Sequence, residues 1–218
     1  MFEKLKEKLA ELAKQNQQRY TVDKSRFNDP IAELTDWFPL KPGGANFKTH
    51  TLKTVSSSLM KYTMSTGGKV FLGLFASIGI ISIIIGLVLL FNGSTPSYFL
   101  ILFGSIFFGV SFLMFRVMGK PVFFDAKMGV IWIGNNPPKI AGDNNLHNQL
   151  VYFNKIQALQ IISERVRGNK TTYRSYEINL VLKDGKRFNI VDHGNHGQII
   201  IDAENLSAFL GKPIWDVS

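Results

Sequence analysis

Residues 70–91 read VFLGLFASIGIISIIIGLVLLF, 22 positions without one ionisable side chain. As a helix rising ~1.5 Å per residue this run is about 33 Å long, enough for a hydrocarbon core of about 30 Å. No polar stripe interrupts it, as one would in a helix that lines a soluble core. A second run without Asp, Glu, Lys, Arg or His, YFLILFGSIFFGVSFLMF, covers Tyr98–Phe115. The link between them, Asn92-Gly93-Ser94-Thr95-Pro96-Ser97, is too short for anything but an antiparallel turn. The reading is a transmembrane hairpin over residues 70–117.

Basic residues near the spans orient it. The link carries none, whereas Lys61 and Lys69 precede the first run and Arg116 and Lys120 follow the second. Cationic flanks stay on the cytoplasmic side, so both termini are expected there, in a multi-pass arrangement. The polar segment ahead of residue 70 is too long for a signal peptide. No cysteine is present, which excludes disulfides and thiolate metal sites. Residues 1–69 carry 12 basic against 7 acidic groups and residues 116–218 carry 13 against 9. That even spread suits a surface beside anionic lipid as well as nucleic acid; no nucleic-acid partner is expected.

Upstream of the hairpin, residues 1–19 predict an amphipathic helix. Phe2, Leu5, Leu9 and Leu12 form a narrow coiled-coil-like seam, two heptads long and too short to stand alone. A second copy, the protein's own body or the lipid headgroup layer would each cover it. Residues 20–46 form an irregular connector broken by Pro30, Pro39, Pro42, Gly43 and Gly44. Its Trp37-Phe38-Pro39 is expected to dock on the folded body. Residues 47–66 predict a strand pair turning at Ser56-Ser57-Ser58, with Met60, Tyr62 and Met64 on one face and Lys61 and Thr63 on the other. The second strand leads straight into the first membrane helix.

Downstream, Pro121–Phe124 and Val130–Ile133 flank a turn at Asp125–Gly129, and a loop rich in Asn, Pro and Gly runs from Gly134 to Gln149. Leu150–Phe153 and Ala158–Ile162 follow as further apolar stretches. Tyr176, Ile178, Leu180 and Leu182 alternate with Glu177, Asn179, Val181 and Lys183, the cleanest strand signal in the chain. A three-residue Lys183-Asp184-Gly185 loop pairs Leu180 with Phe188 and Ile178 with Ile190, which keeps apolar residues on one face. Ile199, Ala203, Leu206 and Leu210 recur at helical spacing, and Gly211 with Pro213 stops that helix. The helix is expected to close the chain with one face on the sheet.

This order of strands and final helix resembles the pleckstrin-homology-like (PH-like) fold. Ile156-Gln157-Ala158-Leu159-Gln160-Ile161, Tyr176–Leu182 and Asp184-Gly185 resemble bacterial membrane proteins that carry such a domain beside a helical hairpin. The likeness covers residues 121–215 and rests on turns and core positions, so it informs fold rather than activity. It implies an α+β membrane protein of the bacterial inner (cytoplasmic) membrane. Its PH-like antiparallel β domain (residues 121–218) ends on a C-terminal helix. The strand pair at 47–66, ahead of the hairpin, departs from the likeness and suggests that these are the first strands of the β domain, with the two-helix transmembrane hairpin inserted in it. Strands on both sides of the hairpin then share one sheet.

Motifs for chemistry are weak. His193-Gly194-Asn195-His196 beside Asp192 offers two imidazoles, but the glycine marks a turn and no second ligand cluster accompanies it, so no metal site is expected. Gly67-Gly68-Lys69 lacks the spacing of a phosphate loop, and the Asn92 and Asn169 triplets match glycosylation acceptors by coincidence. His50 and His147 stand alone. No catalytic residue, enzyme activity or cofactor is expected.

Arg165, Arg167, Lys170 and Arg174 form a basic loop at residues 165–174. In eukaryotic pleckstrin-homology domains a basic loop at such a junction cradles phosphoinositide headgroups, and Arg165 and Arg167 alternate as an anion grip requires. A solvated hairpin tip is the simpler account and is preferred. Small residues recur four apart inside the spans: Gly73 and Ser77, Ser82 and Gly86, Ser105 and Gly109. The first two pairs lie on nearly opposite sides of the first helix, so one serves the partner helix and the other a second copy. With no Asp, Glu, Lys, Arg or His inside the spans, a transport role is not expected. The chain reads as a membrane-anchored interaction module or scaffold that self-associates. An anionic-lipid-binding module and an accessory subunit with a protein partner in a membrane complex are the alternatives.

Overall fold

The computed structural model describes residues 22–93, 97–138, 150–167 and 171–218. The expected amphipathic helix with Phe2, Leu5, Leu9 and Leu12 lies outside the described residues, as do residues 139–149 and Lys170. The elements in chain order are α1 (Pro30–Leu34), β1 (His50–Ser56), β2 (Leu59–Met64), α2 (Thr66–Phe91), α3 (Ser97–Met118), β3 (Val122–Asp125), β4 (Val130–Ile133), β5 (Leu150–Tyr152), β6 (Ile156–Arg167), β7 (Thr172–Leu182), β8 (Arg187–His193), α4 (His196–Leu210) and β9 (Ile214–Val217). The strands form a five-stranded sheet of order β1-β2-β3-β4-β5 and a four-stranded sheet of order β8-β7-β6-β9. Strands on either side of the helical hairpin thus share a sheet, as expected, since β2 neighbours β3. Among the described residues, those within 22–47, 125–131 and 150–218 form one compact unit, and those within 48–124 and 132–138 the other.

In the second unit, β1 and β2 pair antiparallel, with Leu52 opposite Tyr62 and His50 opposite Met64. Met60, Tyr62 and Met64 are buried, as the alternation predicts, and Tyr62 meets the Phe124 ring edge-on at 6.2 Å. His50, which the sequence left without a role, clamps the strand. Its Nδ1 pairs with Thr49 Oγ1 at 2.9 Å and its Nε2 donates to the Met118 carbonyl at 3.0 Å. Ser65 caps α2, accepting from Gly68 N at 3.0 Å and donating to Lys48 O at 2.6 Å. The cap starts the helix four residues before the uncharged run.

Helices α2 and α3 span 26 and 22 residues, and both are long and apolar enough to cross a membrane. Only 11% of each apolar window is buried, so large side chains such as Phe91, Leu102 and Leu113 point outward. Their mutual contact follows a period of seven rather than four. Leu72, Gly79 and Gly86 are buried on α2, and Ser97, Gly104 and Ser111 on α3. A Cβ at Gly79 would lie 2.7 Å from Phe108 N, and one at Gly86 would lie 2.7 Å from Ile101 Cγ1. Ser111 Oγ donates to Leu72 O at 2.7 Å across the contact. Small residues let the backbones approach closely, and a seven-residue repeat keeps that seam facing its partner.

In the first unit, β6, β7 and β8 are antiparallel, with Leu159 opposite Leu180 and Ile161 opposite Ile178. Helix α4 lies on this sheet with Ile199, Ala203, Leu206 and Leu210 buried; Asn195 caps its start and left-handed Gly211 (φ 64°) its end. The chain does not close on this helix. It continues into β9, which runs parallel to β6, placing Trp215 beside Gln160. Four residues are too few to show a period, which is why this strand was not legible in the sequence.

The β7–β8 loop is Lys183-Asp184-Gly185 with Gly185 at φ 79°, and Leu180 faces Phe188 as expected. Ile178, however, faces Val191 rather than Ile190, because the register shifts between Ile178 and Asn179. This bulge turns the end of β8 over, so that Asp192 shares a face with Glu177 instead of with Tyr176.

Candidate functional site

The two faces of the four-stranded sheet are covered differently. Leu159, Ile161, Ile178 and Leu180 lie on the α4 side. Ala158, Gln160, Glu177, Asn179 and Val181 lie on the other, where the connector runs as a strap. Asp29 caps α1, accepting from Ile31 N at 2.8 Å, and its second oxygen accepts from Gln157 Nε2 at 2.6 Å. Trp37 is 3% exposed, donates Nε1 to Ala32 O at 2.9 Å, stacks on Phe27 and packs with Ala158, Val181 and Trp215. The expected docking of Trp37 is therefore present, anchored by a short helix within the otherwise irregular connector.

Beyond Trp37 the contact is polar and uses the strap's backbone. Gln160 Nε2 donates to Asp36 O at 3.0 Å. Arg187 donates to Phe38 O at 2.6 Å and to Gln160 Oε1 at 3.3 Å, with its guanidinium 4.9 Å from the centre of the Phe38 ring. Burial lowers the Arg187 pKa, opposed by Glu177 and Asp36. Glu177 accepts from Leu40 N at 2.7 Å, Lys41 N at 3.2 Å and Asn179 Nδ2 at 2.7 Å. Glu164 accepts from Gly43 N at 2.7 Å, and Tyr173 Oη donates to Gly44 O at 2.9 Å. Buried polar side chains are satisfied here by main-chain groups more than a hundred residues away in sequence.

The arginine cluster occupies the opposite side of the β6–β7 ribbon. Arg165 faces Arg174 and Arg167 faces Thr172 across the strands, so the three arginines share one exposed face. Arg165, Thr172, Tyr173 and Arg174 line an open recess of about 430 Å³. Like charges directly opposite one another repel, and a bound anion relieves that cost.

The remaining candidates separate. His193 is buried, whereas His196 stacks on Tyr176 and pairs with Ser218 Oγ at 2.9 Å. Among the described residues no group of three His, Cys, Asp or Glu is placed to hold a metal. Gly86 is taken up inside the hairpin and is not free for a second copy, and Ser82 is half-buried. Gly73 has open space around it, and Ser77 bonds back to Gly73 O at 2.9 Å. The strap face was missed by sequence reasoning; its signal was the run of polar residues on a strand whose flanking residues are all apolar. No family model matches the chain, and comparison with curated proteins and with solved structures returns no similar chain.

Proposed function

We propose that the chain is a non-enzymatic, membrane-anchored interaction module of the bacterial inner membrane, with both termini cytoplasmic and a PH-like β domain displayed there. The observation that carries this reading is the outward apolar surface of α2 and α3, which have no Asp, Glu, Lys, Arg or His between Val70 and Phe115. Moving that surface from water into hydrocarbon is favourable by about 25 cal/mol per Å². The antiparallel strands and α4 support the PH-like reading; the parallel β9 and the division into two sheets depart from it. A reporter active only in the periplasm, fused after Ser218, should be silent. Activity there overturns the topology.

The shared face of Arg165, Arg167 and Arg174 favours a second reading, binding of an anionic lipid headgroup. Self-association belongs to the first reading and uses Gly73 and Ser77, which like Ser105 and Gly109 lie outside the hairpin's own contact. Detergent-corrected mass by light scattering should fall on Gly73→Leu. A wild type that is monomeric at all protein-to-detergent ratios removes that part of the reading.

A further inference from the structure

Strap residues Leu40–Ala45 cross the sheet at the place where the β8 bulge aims Asp192. Gly44 lies so close that a Cβ there would overlap the Asp192 carboxylate and the Ser175 hydroxyl. Ser175 Oγ contacts both Asp192 Oδ1 and the strap carbonyl Ala45 O, the latter at 3.1 Å. A hydroxyl has one proton to donate, and a carbonyl only accepts. An ionised Asp192 also only accepts, so the single hydroxyl hydrogen of Ser175 cannot lie in both of these contacts. A protonated Asp192 donates to Ser175, and Ser175 donates onward to Ala45 O, so both contacts are hydrogen bonds.

We propose that docking of the Leu40–Ala45 strap is coupled to protonation of Asp192, so that the strap is held more tightly in mildly acidic than in neutral solution. The charged surroundings agree with the proton count. Glu177 on β7 and Glu164 on β6 face Asp192 and already accept from strap amides, and Lys41 on the strap is the cation that faces it. Burial pushes the Asp192 carboxyl up from 3.8 to about 6, reinforced by Glu177 and Glu164 and opposed by Ser175 and Lys41. A carboxyl that binds its proton more tightly docked than undocked stabilises the docked state fully below its ordinary value. That stabilisation is lost as the pH rises through about 6. The ratio of the two proton affinities, about a hundredfold, is the ceiling on the effect. Release of the strap frees the Glu177 and Glu164 carboxylates from the amides of Leu40, Lys41 and Gly43. The inference does not depend on the membrane reading.

Hydrogen exchange read by mass spectrometry on the full chain in detergent tests this, with rates corrected for intrinsic pH dependence. Between about pH 5 and about pH 7.5, protection of the Leu40–Asn46 amides should fall by roughly ten- to a hundredfold, while that of the β6 core amides stays constant. Asp192→Asn, which carries a neutral donor at every pH, should hold the strap equally at both. A wild-type strap whose protection does not change overturns the proposal, as does a pH step that survives in Asp192→Asn. Should that variant fail to fold, Lys41→Gln decides. It removes the strap cation that faces Asp192 and favours its charged form, so the midpoint of the step must move to higher pH, and an unmoved midpoint overturns the proposal.

Discussion

The two faces of β6 and β7 bury similar numbers of side chains by opposite means. On one, Leu159, Ile161, Ile178 and Leu180 meet α4 through apolar contact alone, which is insensitive to direction. On the other, Gln160, Glu177 and Asn179 are equally buried but need partners at defined angles, and the strap supplies them from its backbone. An apolar face accepts any complementary apolar helix. The polar face accepts one chain path in one register, because a carboxylate or amide left unpaired in the interior costs about 1–3 kcal/mol. The difference is between adhesion and recognition, and it makes the strapped face the more specific of the two.

Three variants break or sharpen this comparison. The largest effect is expected on the α4 side. Leu180→Ala leaves a cavity among fully buried neighbours and should cost about 2–5 kcal/mol, read as a lower midpoint in chemical unfolding. All elements of the unit should lose protection together, since the helix and sheet share that core.

On the strap side the expected loss is smaller and local. Glu177→Ala strands the amides of Leu40 and Lys41 and the Asn179 side chain, at about 1–3 kcal/mol. Hydrogen exchange should show the strap opening while α4 stays protected. Equal loss at both places would mean that the two faces are not independent.

The smallest effect on stability is expected outside both faces. Arg165→Gln with Arg174→Gln changes exposed residues and should move stability by no more than about 0.5 kcal/mol. If the ribbon grips an anionic headgroup, the same pair should weaken binding of a soluble short-chain anionic phospholipid by the full chain about tenfold, some 1.4 kcal/mol. Unchanged binding leaves the ribbon as a solvated tip.

The helical hairpin, β2 with its buried Met60, Tyr62 and Met64, the Gly185 loop and α4 were legible in the sequence, because each is written locally. An uncharged run of membrane length, a period of two, a residue that tolerates positive φ and a period of 3.6 each depend on neighbours a few positions apart. Other features were not written locally. Gly79 and Gly104 gain their meaning only when α2 and α3 are laid together, since either glycine alone is merely a small residue. The bulge that turns Asp192 toward Glu177 arises from how β8 settles on β7. The burial of Glu177, which alternation marked as the solvent side, was decided by a strap 137 positions away along the chain. Local sequence determined which segments are helix and strand, because propensity and periodicity act within one element. Tertiary structure alone decided which polar groups are buried, because the partners that satisfy them are backbone atoms and carry no side-chain signature.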